Sequence, residues 1–329
     1  MNILAGDIGG TNTRLRLVTV TSDEQSLIAE KKYASQEYSG LEEVISLFLS
    51  EYNLCMSIDS VCMAVAGPVK FSQASVTNLP WEITVEDLRK KLVCDRVCLI
   101  NDFIAIAHGI SLLTADDLLV LKPGVNKVNQ DAAVIGAGTG LGAAHLLWNI
   151  DHFDPLPSEA GHAAFAPATP LQCRLLGWLQ MGEEHVSLEM LLSGRGFLTI
   201  YNFLHKIEGL PESGEVKRAL KSSDPAKVIT DYALNDSDQL CIETLNCFIE
   251  IYAAALSDIA LHYYPLQTVY VAGGIATKIK DKLLSQRFLK AFENKGLMTD
   301  NMKEISVNLI VNENVGLNGA QLYAIKSCL

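Results

Sequence analysis

Two glycine–threonine turns, each entered from a short apolar run and lying about 130 residues apart, set the frame for this 329-residue chain. The first is Gly6-Asp7-Ile8-Gly9-Gly10-Thr11-Asn12, after Ile3-Leu4-Ala5. The second is Gly136-Ala137-Gly138-Thr139-Gly140-Leu141-Gly142, after Ala132-Ala133-Val134-Ile135. Both read as a strand, a sharp turn and a second apolar strand. Glycine lets the backbone turn tightly and approach a ligand with no Cβ in the way. The N–H groups of such a turn converge on a point and favour an anion. Two of them, each opening a similar β-rich segment, suggest a duplicated scaffold that clamps one polyphosphate from both sides.

The rest of the chain supports that plan. Residues 14–20 alternate polar and apolar, as a half-buried strand does. Ser22–Gln25 reads as a hairpin turn and Ser26–Tyr33 as a third strand. Leu41–Tyr52 has helical spacing, Val61–Val65 is a short buried strand, Val85–Leu92 a helix and Arg96–Ile100 a strand. The second half starts afresh with strands at Ala132–Ile135 and Ala143–Trp148. Apolar spacing predicts a long helix over Gln239–Tyr263, stopped by Pro265. Strands follow at Thr268–Ala272 and Ile305–Val311, and a last helix at Gly316–Ser327. Gly209–Asp238, rich in charge, proline and serine, reads as a mobile surface excursion. Strands alternating with helices imply an α/β fold.

Charge and composition exclude several classes. The net charge is −12, a poor basis for binding nucleic acid or anionic membranes, so a phosphate ligand must be held by local N–H groups and a metal ion. The first residues carry no basic or long apolar segment, so no signal peptide is expected. No run of about 20 apolar residues suggests a membrane span. Eight cysteines lie scattered with no CxxC, which reads as buried reduced thiols in a cytoplasmic protein and no metal site. No GxxxxGK(S/T) occurs, against a P-loop NTPase. Gly138–Ala143 fits the dinucleotide pattern GxGxxA, but a strand, not a helix, is expected after it.

Polar residues cluster where chemistry is expected. Asn101-Asp102 follows the strand Val97–Ile100, the place where α/β folds hold ligands. The alternative for Asp102 is a cap on a helix over Phe103–Gly109. Ser158-Glu159-Ala160-Gly161-His162 lies between Pro157 and Pro167, a loop of fixed shape in which Glu159 and His162 can point the same way. Asn78 sits in Asn78-Leu79-Pro80-Trp81. Glu189 falls near the start of an apolar helical pattern, Val186–Gly194, where an acid is unusual unless paired.

In order along the chain, these motifs, with Leu192-Ser193-Gly194-Arg195-Gly196 and Gly273-Gly274-Ile275, resemble the bacterial glucokinase family of the hexokinase, actin and heat-shock ATPase superfamily. The resemblance runs from residue 1 to about residue 328. It implies an α/β, two-lobed, actin-like (ribonuclease H-like) ATPase fold with a cleft between the lobes. Residues 1–109 would form the small lobe, completed by a C-terminal helix at 313–329, and residues 110–312 the large lobe with a helical insertion. Gly6, Asp7, Ile8, Gly9, Gly10, Thr11 and Asn12 would form the first phosphate loop, with Asp7 near an ATP-bound Mg²⁺. Gly138, Thr139 and Gly140 would form the second, and Gly273 and Gly274 would lie against the adenosine. Asn101, Asp102, Glu159, His162 and Glu189, with Asn78 nearby, would hold the sugar, and Asp102 would be the catalytic base.

The implied reaction is ATP-dependent phosphorylation of glucose at its 6-hydroxyl, with Mg²⁺ arriving on ATP. The family also suggests a cytoplasmic homodimer with no nucleic-acid or membrane partner. Two rivals stay open at this point: a kinase for another hexose or an N-acetyl amino sugar, and a non-catalytic sugar sensor on the same scaffold.

Overall fold

The computed structural model describes residues 1–21, 24–53, 56–125 and 129–327. The expected hairpin turn at Ser22–Gln25 falls partly outside these, as do Cys55, Cys328 and the final residue of the chain. The chain divides into two compact units. The first comprises Met1–Asp116, His152–Pro155 and Asn312–Leu329; the second comprises Asp117–Asp151 and Leu156–Val311.

The first unit is built on β1 (Asn2–Ile8), β2 (Asn12–Val20), β3 (Gln25–Ala34), α1 (Leu41–Glu51), β4 (Ser60–Val65), β5 (Val69–Lys70), β6 (Gln73–Ser75), β7 (Glu82–Thr84), α2 (Val85–Leu92), β8 (Val97–Asn101) and α3 (Asp102–Gly109). Five strands form one sheet in the order β3-β2-β1-β4-β8. β2 and β3 run antiparallel, whereas β4 and β8 run parallel to β1. The period-2 pattern sorts side chains to two faces. Leu4, Leu15, Leu17 and Met63 pack under α1 and α2, while Ile3, Ala5, Val18 and Ala64 form a separate core on the opposite face. The small sheet β5-β6-β7 is an addition that the sequence pattern did not announce.

The second unit repeats the arrangement. Its elements are β9 (Leu118–Lys122), β10 (Asp131–Ala137), β11 (Leu141–Asn149), β12 (His152–Ser158), α4 (Pro170–Leu179), α5 (Gly194–Lys206), α6 (Gly214–Ala219), α7 (Pro225–Leu234), α8 (Gln239–His262), β13 (Leu266–Ala272), the helices α9 (Gly274–Lys278), α10 (Lys280–Leu283), α11 (Gln286–Glu293) and α12 (Thr299–Glu304), and β14 (Ser306–Ile310). The sheet order is β12-β11-β10-β13-β14-β9. Its first five strands reproduce the order of the first sheet: an antiparallel partner at the glycine turn (β11 beside β10), then β13 and β14 parallel to β10. β9 adds an antiparallel edge.

Two expectations fail here. Gly209–Asp238 is not a mobile excursion: it forms α6 and α7, whose Val216, Val228, Ile229 and Ala233 are buried. The serine, aspartate and proline that looked like loop composition are helix starts. Ser213 caps α6 and Asp224 caps α7, with Pro225 in its first turn. The Val186–Gly194 pattern is also not a helix. Glu189 lies in a turn between the bridge Ala164↔Ser187 and the start of α5.

The long helix α8 is, among the described residues, long and apolar enough to cross a membrane, but 78% of its apolar window is buried inside the protein. It carries Phe248, Tyr252 and Leu256 into the core of the second unit. The last helix, α13 (Val315–Lys326), belongs to the first unit. Its Leu317, Ala320 and Ala324 complete the core with Ile3, Ala5 and Ala64. Arg14 reaches Asn314 Oδ1, and Arg16 reaches Asn318 Oδ1 at 2.7 Å, so β2 grips this helix from one side.

Candidate active site

In the first unit the chemistry gathers at the carboxyl ends of parallel strands. β1 ends at Ile8, and Gly9-Gly10-Thr11 turn the chain into β2; Gly9 N–H donates to Asn12 O at 2.9 Å and closes the turn. Gly6, Asp7 and Ile8 lie on β1 and Asn12 opens β2. Thr77 and Asn78 abut Gly10, and Asn78 is exposed in a left-handed backbone conformation with φ of +66°. Asn101 ends β8, in register with Val65 of β4, which pairs in turn with Ile8.

The helix cap weighed as the alternative role for Asp102 belongs to its neighbour. Asn101 Oδ1 accepts from Phe103 N–H at 2.9 Å, and its amide donates to Gly67 O at 3.2 Å. Asp102 is the first helical residue of α3, and its Oδ1 shares the Phe103 N–H at 3.0 Å. Asp102 therefore sits at the positive end of a helix, with part of its surface open. Even so, burial of the carboxyl and the charge of Asp7 push its pKa up to about 7. Burial also raises the pKa of Asp7, and Arg14, its register partner on β2, opposes that rise. A carboxyl whose charge is penalised both by burial and by a neighbouring carboxyl is poised to bind a cation or take a proton.

In the second unit three segments interlock. Gly138-Thr139-Gly140 join β10 to β11, with Gly138 N–H donating to Gly140 O at 2.8 Å. Glu189 Oε2 accepts from Leu141 N–H at 3.0 Å, and a Cβ on Gly140 would lie 2.5 Å from that oxygen. Glu189 N–H in turn donates to Gly161 O at 2.9 Å. Glu159 leads into a single 3-10 turn, Ala160–His162, and its carboxylate stands 4.0 Å from His162 Nε2, with both side chains open to solvent. His185, which no sequence pattern singled out, lies 2.8 Å from His162 O through its Nε2. Gly273, with φ of +93°, follows β13 and lies against Ala137, whose oxygen would lie 2.6 Å from an added Cβ; only glycine fits there. Gly274 opens α9 beside it.

The structure thus brings Asp7, Asn78, Asn101 and Asp102 together on the first unit. It brings Gly138–Gly140, Glu159, His162, Glu189 and Gly273 together on the second. Among the described residues no group of three or more His, Cys, Asp or Glu side chains is placed to hold a metal ion.

Comparison with known proteins gives a consistent picture. The sequence model described as Glucokinase matches residues 4–327. The glucokinase of Nostoc sp. (strain PCC 7120) is 38% identical over 336 residues, covering 98% of this chain and 98% of that protein. The crystal structure of a glucokinase from an Antarctic psychrotroph superposes with a TM-score of 0.84 at 31% identity, covering 99% of each chain. A ROK family glucokinase from Streptomyces griseus, crystallised with glucose and AMPPNP, shares the fold at 19% identity with a TM-score of 0.64, covering 99% of this chain and 100% of that one.

Proposed function

The chain belongs to the glucokinase family and transfers the terminal phosphoryl group of ATP to the 6-hydroxyl of glucose, giving glucose 6-phosphate and ADP; we propose that Asp102 is the base of this reaction. The observation that supports it is the placement of one partly open carboxyl at the first turn of α3, beside Asp7 and with a pKa of about 7. A base whose pKa lies near working pH has the greatest combined advantage of correct protonation and driving force. In phosphoryl transfer it takes the hydroxyl proton as the new O–P bond forms, while amides and cations hold the charge on the phosphate oxygens.

The other roles are proposed on the same footing. Gly9, Gly10 and Thr11 with the flanking Gly6, Asp7, Ile8 and Asn12, and Gly138, Thr139 and Gly140, would direct backbone N–H groups at the phosphates. Gly273 and Gly274 would leave room for the adenosine. Asn78, Asn101, Glu159, His162 and Glu189 would hold sugar hydroxyls, a set of donors and acceptors suited to reading hydroxyl positions. Two of these residues are already engaged: Asn101 caps α3, and Glu189 is tethered to Leu141 N–H. Each retains a free lone pair for a second partner.

Mg²⁺ fits the first unit, where Asp7 offers a hard oxygen ligand; brought in on ATP, it would neutralise phosphate charge. We further propose a cytoplasmic homodimer that feeds glucose into glycolysis. The deciding experiment compares Asp102→Asn with the native chain in a coupled ADP-release assay across a panel of hexoses and N-acetyl amino sugars. The variant should bind glucose, followed by calorimetry, and lose on the order of 10²–10⁴-fold in kcat. A folded variant turning over glucose at near the native rate would remove Asp102 from the mechanism.

A further inference from the structure

We propose that the second unit carries a binding site for a small organic anion, distinct from the glycine turns and the sugar-facing carboxylates. The site is a cavity of about 450 Å³ between α4, α8 and α11, lined by Thr169, Gln172, Glu250, Arg287, Lys290 and Ala291 among others. It shares no lining residue with the active-site segments described above.

Three observations define the ligand. The first is charge. Arg287 is paired with Glu250, so those two cancel. Lys290 makes no ion pair among the described residues, and it leaves the cavity with an unmatched positive charge in a chain of net charge −12. The second is an unmet hydrogen bond. Gln172 is 1% exposed; its Oε1 accepts from Ala168 N–H at 2.8 Å, but its Nε2 has no partner. A buried amide donor without an acceptor is costly, and this one is shielded from bulk water. A ligand oxygen seated at the Gln172 wall would supply the acceptor. The third is the apolar part of the wall. Ala168, Ala291 and the aliphatic stems of Arg287 and Lys290 suit a carbon body. The N-terminal ends of α4, capped by Thr169, and of α11, at Gln286 and Arg287, add the positive ends of two helices to the same field. A compact carbon skeleton bearing one phosphate or carboxylate group meets all three requirements.

The test uses three probes with one carbon body and different heads: phenyl phosphate, benzoate and benzyl alcohol. Binding to the full chain is followed by calorimetry and saturation-transfer NMR. The two anions should bind, and the alcohol should bind about tenfold more weakly or less. Comparing the two anions tells a phosphate ligand from a carboxylate one. Lys290→Gln should weaken the anions about tenfold or more while glucose turnover stays unchanged. Gln172→Glu keeps the acceptor for Ala168, removes the free donor and adds a like charge, so it should abolish anion binding. If Gln172→Glu does not fold, Lys290→Gln decides alone. Equal binding of all three probes, no binding of either anion, or unchanged affinity in Lys290→Gln would overturn the proposal. Displacement of the probe by saturating glucose with AMPPNP would place it at the active site and overturn the proposal equally.

Discussion

Asp102 holds its proton to about pH 7 because burial and the neighbouring Asp7 both penalise its charge. An ordinary aspartate in the unfolded chain titrates near about 4. Between these values the folded protein binds the extra proton. Its stabilising effect is therefore complete below pH of about 4 and is lost as pH rises through about 7. Asp102→Asn does not titrate, so its melting temperature relative to the native chain should climb from about pH 4 to about pH 7 and level off above. A difference that is flat over this range would mean that the carboxyl is not strained in the fold. The same group should leave its mark on turnover: kcat/KM for glucose should fall about tenfold per pH unit below the pKa, as expected for a single required base. Glu159 and His162 pose a different test. Their side chains are open and face each other across 4.0 Å without firm structural partners. Glu159→Ala and His162→Ala should therefore leave the melting temperature almost unchanged. They should raise the glucose KM by about 5- to 150-fold, equivalent to roughly 1–3 kcal/mol for a lost hydroxyl partner, with the ATP KM within a few-fold. An unchanged glucose KM in both variants would exclude them from sugar binding.

Helix α3 carries Asp102, and α13 holds α3 in place through an unusually close approach. A Cβ on Gly319 would strike Ala105 O and crowd Gly109 N, both backbone atoms of α3 that cannot swing away. Gly319→Ala should therefore displace one helix from the other, costing on the order of 1–3 kcal/mol. It should also lower kcat more than it raises either KM, because Asp102 moves with α3. Thermal unfolding and steady-state kinetics on the same preparation check both effects; a variant of native stability and kcat would show that the contact is not tight. The elements differ in how plainly the chain announces them. β2 alternates from Asn12 to Leu17, and its half-buried and buried positions follow that alternation until a register shift between Leu17 and Val18 buries two neighbours in a row. β5, β6 and β7 have two or three residues each, too short for a period to emerge. Near Glu189 the spacing of Val186, Leu188, Leu191 and Leu192 mimics a helix, yet a bend of the chain buries Val186, Leu191 and Leu192 and half-buries Leu188. At Asn101-Asp102 the order of cap and first helical residue was not legible, since either side chain can cap and only the backbone angles of Asn101, φ −66° and ψ 149°, choose. Residues whose neighbours come from distant sequence, such as Gln172 facing α11, leave no local pattern at all.

At the scale of the molecule, one sheet design is used twice, with a glycine turn between the first two strands of each copy. Among the described residues no group of three or more His, Cys, Asp or Glu side chains is placed to hold a metal ion; in the proposed mechanism the cation arrives on the nucleotide. Turnover should vanish in excess chelator and return fully on adding Mg²⁺ alone, measured as ADP release. Recovery that required Zn²⁺ would contradict this. The first unit is also discontinuous. The sheet face formed by Ile3, Ala5, Val18 and Ala64 is covered by Leu317, Ala320 and Ala324 from the far end of the chain. On the ribosome those strands are made first and their cover last. The amino-terminal sheet must wait, with an oily face open to water, through the synthesis of some two hundred residues of the second unit. A nascent chain stalled before Asn312 is thus a natural client for chaperones, and a message truncated there yields a protein that begins well and cannot finish.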